Sequence, residues 1–125
     1  MTKKILIIDD DKILSKILRD TLQTHAADKY EVISAFDGEA GLAIALEQKP
    51  DLIMLDLVMP KLSGIEFLKK LRADERGVNI PVLVATQVSD LAKMSEGMEL
   101  GVRGYIIKAD YSIKEILGQI EEVLK

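Results

Sequence analysis

Two stretches constrain the fold before anything else does. Lys4 to Asp9 reads KILIID, and Leu52 to Asp56 reads LIMLD. Each is an unbroken apolar run of strand length closed by an acid. A strand with one wet face alternates apolar and polar residues. An unbroken run bounded by turn residues suits a strand covered on both faces, as in a parallel sheet between two layers of helices. The carboxylate that closes each run does not belong in that interior. It stands at the carboxyl edge of the sheet, where open α/β folds receive their ligands.

The remainder of the chain repeats the same grammar. Further strands are expected at Glu31 to Phe36, Val82 to Thr86 and Gly104 to Lys108. Between them and after the last lie stretches with helical periodicity. Leu14, Ile17, Leu18, Thr21 and Leu22 form one stripe, and Leu42, Ile44, Ala45 and Leu46 a looser one. Ile65, Leu68 and Leu71 form a third with Phe67 beside it, and Leu91, Met94 and Met98 a thin fourth. Ile113, Ile116, Leu117, Ile120, Val123 and Leu124 form the clearest. Asp37 reads as a helix cap, and Ser63 with Glu66 and Ser112 with Glu115 read as capping boxes. Strands alternating with helices imply a parallel sheet with right-handed crossovers and helices on both faces. Five strands suit the flavodoxin-like order 2-1-3-4-5, a known order for such sheets rather than something periodicity supplies. EVISAF alternates most and suits an edge.

The chain has 125 residues, a net charge of −4 and no cysteine. That length suits one domain with a real core. An acidic balance is a poor basis for gripping a phosphate backbone, so direct nucleic-acid binding is not expected. Disulfides, thiolate metal sites and cysteine nucleophiles are excluded, which suits a cytoplasmic location. The N-terminal apolar run is too short for a signal peptide or a membrane span. The single histidine, His25, allows neither a Ser-His-Asp triad nor a multi-histidine metal site.

In the 2-1-3-4-5 order the first and third strands are neighbours, so Asp9, Asp10 and Asp56 meet. Carboxylates about 5 Å apart repel by roughly 3 kcal/mol per pair at an effective dielectric constant near 20. Such a cluster calls for a cation, and hard oxygen donors select Mg²⁺, or Mn²⁺, over zinc. The fourth strand ends in Thr86 and the fifth in Lys108. Acids, a hydroxyl and an ammonium on one edge fit phosphoryl transfer, with Asp56 as a carboxylate nucleophile and Lys108 and Thr86 holding the phosphoryl oxygens.

These residues resemble the receiver domain of two-component response regulators over the whole chain. The ordered set is Asp9-Asp10, Asp56 followed by Met59-Pro60 and Gly64, Thr86, Gly104-Tyr105 and Lys108. The resemblance implies a single receiver domain over residues 1–125, without an output domain in this stretch. It implies that Asp56 accepts a phosphoryl group from a phosphohistidine on a sensor histidine kinase or phosphotransfer protein. Asp10, Asp56 and the Val58 carbonyl then ligate Mg²⁺, and Asp9 holds metal-bound water. Lys108 contacts Asp56 and afterwards the phosphoryl group, while Thr86 and Tyr105 move together as a switch. The face built from the fourth helix, fifth strand and fifth helix would change shape toward a downstream protein or a second copy. No turnover enzyme is implied beyond self-phosphorylation and autodephosphorylation.

Three positions depart from the family pattern. Ala109 stands where a proline with a cis bond is usual, leaving either a trans, displaced loop or a strained one. Asp110 replaces an apolar residue, and Gln87 replaces a small residue beside the site. Val58 and Val88 occupy positions that tune hydrolysis in the family, and as apolar residues they imply a long-lived aspartyl phosphate. Simpler readings stay open: Asp11 as a cap, Ser15 and Ser95 as helix-surface residues, Tyr105 as core packing, and Met94 and Met98 as core or partner-face packing. So do two other functions. Asp9-x-Asp11 superficially fits an aspartate-nucleophile phosphatase of the haloacid dehalogenase type, although Lys12-Ile13 follow where Gly-Thr is usual. The altered Ala109-Asp110 loop fits a pseudo-receiver that acts only by binding proteins.

Overall fold

The computed structural model describes residues 2–26, 29–87 and 91–125. Val88 and the side chains of His25 and Leu91 lie outside the described part. The elements alternate as read from the sequence: β1 (Lys3–Ile8), α1 (Lys12–Ala26), β2 (Tyr30–Ala35), α2 (Gly38–Gln48), β3 (Leu52–Leu55), α3 (Gly64–Ala73), β4 (Val82–Thr86), α4 (Leu91–Glu99), β5 (Gly104–Ile107) and α5 (Ile113–Leu124). The strands form one parallel sheet in the order β2-β1-β3-β4-β5. The acids expected to close β1 and β3 lie one residue past the paired strands, with their N–H groups still bonded to the Ala35 and Ile8 carbonyls.

Alternation along each strand divides the core into two layers. On one face Leu6, Ile8, Ile53, Leu55 and Val84 pack with Ala45 of α2 and Phe67, Leu68 and Leu71 of α3. On the other, Ile5, Ile7, Met54, Leu83 and Ile106 pack with Leu18 and Leu22 of α1 and Ile116, Leu117 and Ile120 of α5. Every residue of β3 and β4 is buried, as unbroken apolar runs require, and the alternating β2 lies at an edge.

Side-chain placement corrects the helix stripes in four places. Ile17, counted in the first stripe, is exposed, because it sits 100° round the helix from Leu18, and the buried face runs through Leu14, Ser15, Leu18 and Leu22. Ser15, expected on the surface, is buried on that face. Phe67, set beside the third stripe, is fully buried together with Leu68 and Leu71 and so belongs to the buried face itself. Met98 projects to solvent and Met94 is half-buried, so of the two readings for this pair, core and partner-face packing, Met98 does not fit the first. Asp37 caps α2 by accepting from the Ala40 N–H at 2.8 Å, and Ser112–Glu115 is a full reciprocal capping box. Ser63 caps α3 through the Glu66 N–H, but its hydroxyl meets the Glu66 carboxylate, so the expected box is only half made.

At the opposite edge of the sheet, the Arg72 guanidinium donates to the carbonyls of Leu100, Gly77 and Ile80 at 2.8, 3.0 and 2.7 Å. It ties the end of α3 to the segments before β4 and after α4, and burial pulls its pKa below the usual arginine value. Among the described residues no helix is long and apolar enough to cross a membrane.

Candidate functional site

Strand register brings the acids together. Ile8 pairs with Leu55, so the residues that follow each of them emerge side by side. The Asp56 N–H donates to the Ile8 carbonyl at 3.0 Å, and the Asp9 N–H to the Ala35 carbonyl at 3.1 Å, which pins both acids by their backbone. Carboxylate oxygens of Asp9, Asp10 and Asp56 lie within 4.8 Å of one another. Asp9 and Asp56 are buried, whereas Asp10 faces solvent. Asp11 is the cap expected of it: its carboxylate accepts from the Leu14 N–H at 3.0 Å.

The fifth strand delivers the counter-charge. The Lys108 ammonium, itself buried, donates to Asp9 at 2.5 Å and to Asp56 at 3.4 Å. Asp9 is thus its nearer partner, where the sequence directed attention to Asp56 alone. Burial works against the Lys108 charge, but the hydrogen bond and charge of Asp9, with those of Asp56, outweigh it and raise its pKa above the ordinary lysine value. Burial pushes the Asp9 carboxyl up, and Lys108 offsets this only in part. The Lys108–Ala109 peptide is trans, since no cis bond occurs among the described residues, and a single 3-10 turn over Lys108–Asp110 follows the strand.

An open cleft of about 390 Å³ lies over the cluster, lined by the three acids and Asp11 with Val58, Thr86, Gln87 and Lys108. Val58 is half exposed at its rim, and its N–H donates to the Asp56 carboxylate at 3.3 Å. Thr86 is fully buried at the end of β4. Tyr105 pairs in register with Val84, two residues before Thr86, so Thr86 and Tyr105 share one face of the sheet. The Tyr105 ring packs half-buried against the core there, close to Gly97 of α4. Gly64 starts α3 hard against the acid-bearing loop. A Cβ on it would fall 2.5 Å from Leu57 Cα and 2.7 Å from the Asp56 carbonyl, so no larger residue fits.

The donor set suits a hard divalent cation: three carboxylates, no histidine or thiolate, and a cleft roomy enough for water. Of the site residues read from the sequence, Asp9, Asp10, Asp56, Val58, Thr86 and Lys108 all line this cleft, and Tyr105 lies one layer deeper. The Lys108–Asp9 pairing went unread, because strand order puts Asp56 after β3 closer to β5 than Asp9 after β1, and the reach of the long lysine side chain across β4 and β3 is a side-chain fact that strand order does not carry.

Comparison with known proteins agrees with this architecture. The response regulator receiver domain family matches residues 5–121. The DNA-binding dual master transcriptional regulator RpaA of Synechocystis sp. is 37% identical over 122 residues, 98% of this chain and 49% of that protein. The alkaline phosphatase synthesis transcriptional regulatory protein PhoP of Bacillus subtilis is 37% identical over 125 residues, 100% of this chain and 50% of that protein. The chain therefore spans about half the length of the curated relatives it matches. Among solved structures, the chemotaxis protein CheY4 of Vibrio cholerae superposes with a TM-score of 0.88 at 31% identity, covering 99% of this chain and 100% of that one. A CheY-like receiver domain protein of Methanospirillum hungatei gives 0.89 at 26% identity, covering 99% and 94%. On fold, residue order and relatives together, this chain belongs to the response regulator receiver domain family.

Proposed function

We propose that this domain accepts a phosphoryl group on Asp56 and converts it into a change of its own surface. The observation that carries the reading is the Asp56 carboxylate itself. It lines the cleft, held by the Val58 N–H and the Lys108 ammonium, beside two further acids. Asp10, Asp56 and the Val58 carbonyl would hold Mg²⁺ (or Mn²⁺), with Asp9 reaching it through water. When bound, the ion supplies charge neutralisation for phosphoryl oxygens and screens the acids from one another.

The protein's own residues do the rest. An Asp56 Oδ attacks phosphorus in line and the new P–O bond forms. The bond from phosphorus to the donor nitrogen of a phosphohistidine breaks, and its electron pair stays on the imidazole, which takes up a proton. Lys108 neutralises charge on a transferred oxygen, and the Thr86 hydroxyl donates to another. The acyl phosphate adds nearly two negative charges. Thr86 is drawn toward it, and the Tyr105 ring on the same sheet face follows into the space released. The face of α4, β5 and α5 thereby shifts toward its downstream protein target or a second copy. The domain biases a two-state equilibrium rather than turning over a substrate. In this reading the donor is a sensor histidine kinase or phosphotransfer protein in the cytoplasm. RpaA is by name a DNA-binding regulator; in this reading the present domain, at a net charge of −4, does not itself grip DNA.

Incubation with Mg²⁺ and acetyl phosphate, followed by intact-mass measurement, tests the reading. One phosphoryl group should add to the wild type and none to Asp56→Asn. An unchanged mass would favour a pseudo-receiver. Modification of Asp9 by beryllofluoride instead of Asp56 would favour the dehalogenase-type phosphatase.

A further inference from the structure

The stretch from the last residue of β2 to the first of α2 carries none of the three acids, yet each of its four residues touches a loop that does or the residue next to one. The Ala35 carbonyl accepts from the Asp9 N–H at 3.1 Å. The Phe36 ring lies under the Lys12 ammonium, 5.2 Å from its centroid, where α1 leaves the Asp9–Asp11 loop. The Asp37 carboxylate caps α2 with one oxygen and faces Lys61 at 3.8 Å with the other. Gly38 is pressed on Leu62: a Cβ there would fall 2.3 Å from the Leu62 carbonyl oxygen and 2.6 Å from its Cβ.

The loop that follows Asp56 has little freedom to yield to such pressure. Leu62 is buried in the core, and its N–H donates to the Pro60 carbonyl at 2.8 Å. Lys61 is already in the left-handed region at φ 69°, and the Gly64 N–H is bonded to the Leu57 carbonyl at 2.9 Å. The loop is therefore gripped between the end of β3 on one side and Gly38 on the other. Ala35, and Phe36 through Lys12, hold the Asp9–Asp11 loop from the same stretch. Beyond the direct bond from the Asp56 N–H to the Ile8 carbonyl, the two acid-bearing loops thus share a second brace, at a place where neither acid resides.

We propose that residues 35–38 form a positioning element for the acid cluster, with Gly38 as its tightest point; this rests on the reading that Asp9, Asp10 and Asp56 hold a divalent cation. A small divalent ion tolerates little error, since Mg²⁺ wants oxygens at about 2.0–2.1 Å in a near-ideal octahedron. An alanine at position 38 drives the Leu62 carbonyl from 2.3 Å to at least 3.0 Å from the new Cβ, a displacement of about 0.7 Å. That displacement enters the loop carrying the Val58 carbonyl and Asp56.

The test is calorimetric titration of the folded domain with Mg²⁺ alone and with Mn²⁺ alone, the fold being checked by circular dichroism. Gly77→Ala is the matched control, because a Cβ there meets Leu71 Cδ1 at 2.5 Å and the Leu71 carbonyl at 2.7 Å, a similar insult at the other edge of the sheet. Gly38→Ala should bind the ion about tenfold more weakly or worse, given the strict geometry of Mg²⁺. Gly77→Ala should match the wild type even where its melting temperature falls. Phe36→Leu, which keeps apolar bulk but removes the ring face, should weaken binding about threefold. It decides the matter if Gly38→Ala does not fold: unchanged affinity in Phe36→Leu then overturns the proposal. So does wild-type affinity in a folded Gly38→Ala, or an equal loss in Gly77→Ala. A wild type that takes up no divalent ion brings down the metal reading itself, and this inference with it.

Discussion

Lys108 is the residue on which the site's electrostatics turn, and replacing it by methionine isolates its contribution. Asp9 and Asp56 present oxygens within 4.8 Å of each other, both buried. At an effective dielectric constant of 20 that separation costs roughly 3 kcal/mol of repulsion. The ammonium 3.4 Å from Asp56 and 2.5 Å from Asp9 more than offsets it, attracting Asp56 alone by about 5 kcal/mol on the same scale. Methionine keeps the aliphatic stem and removes the charge, which leaves two buried carboxylates facing one another. Breaking a buried ion pair from one side costs about 3–5 kcal/mol, and the open cleft argues for the lower end.

A loss of about 3 kcal/mol is a large part of the stability of a domain this size and moves a urea midpoint by roughly 2 M. The chain has no tryptophan, so far-ultraviolet circular dichroism is the probe. Without divalent ions, Lys108→Met should unfold at correspondingly lower urea than the wild type. With Mg²⁺ the gap should narrow, because a bound cation supplies the missing neutralisation, and by linkage the variant should bind the ion tighter, tenfold for each 1.4 kcal/mol regained. Asp9→Asn combined with Lys108→Met should regain most of the loss, since removing both partners strands less charge. A variant as stable as the wild type without metal, or a loss of equal size at every Mg²⁺ concentration, would refute the reasoning.

Further outcomes follow from the same coordinates. Lys108 has a folded pKa above its unfolded one, so its stabilisation is complete below the unfolded value near 10.4 and lost as pH rises through the folded value. Alkaline unfolding of the wild type should show this loss, and Lys108→Met should lack it. The Asp9 pKa is raised by burial, so its charge costs stability at neutral pH; Asp9→Asn should raise the metal-free urea midpoint while weakening Mg²⁺ binding. Arg72→Ala should cost about 2–4 kcal/mol by leaving several carbonyls without their donor, and Arg72→Lys should recover little of it, since an ammonium lacks the planar fork. Val58 sits apolar and half exposed at the rim, so Val58→Asn should speed loss of the phosphoryl group about tenfold by orienting water, followed by intact mass over time.

The fold was legible because its signals are local and redundant. Unbroken apolar runs identified β1, β3 and β4 as doubly covered strands, and Ser112 with Glu115 marked the start of α5 to the residue. Legibility failed where rotation about a helix axis decides. Ile17 fits an apolar stripe as well as Leu18 does, and Ser15 reads as surface by type. Which of them is buried depends on how α1 lies against β1 and β2, a tertiary fact absent from the periodicity. The loop at Lys108–Ala109 was legible only as a choice between two forms, and its 3-10 turn was not read at all. Alanine lacks proline's small gap between cis and trans, and the trans form is the one observed.

The site was legible in its membership but not in its pairing, and the pairing explains how the cluster exists before any ion arrives. Three acids at one sheet edge pose a charge problem that the sequence states plainly. The fold resolves part of it by burying Lys108 against Asp9 and Asp56, the two acids farthest from solvent. Asp10 is left outside that arrangement, facing the cleft. A second lysine in Lys108's neighbourhood would have neutralised the cluster and closed it to a divalent ion. One buried cation against three acids leaves an excess of negative charge, directed at the opening where a divalent ion enters. The same residual charge makes a bare phosphoryl donor unwelcome there, so uptake of the ion and acceptance of phosphorus should rise together as Mg²⁺ is titrated at fixed acetyl phosphate. Phosphorylation that ran at full rate without a divalent ion would mean that Lys108 alone carries the neutralisation, and that the open acid has no part in it.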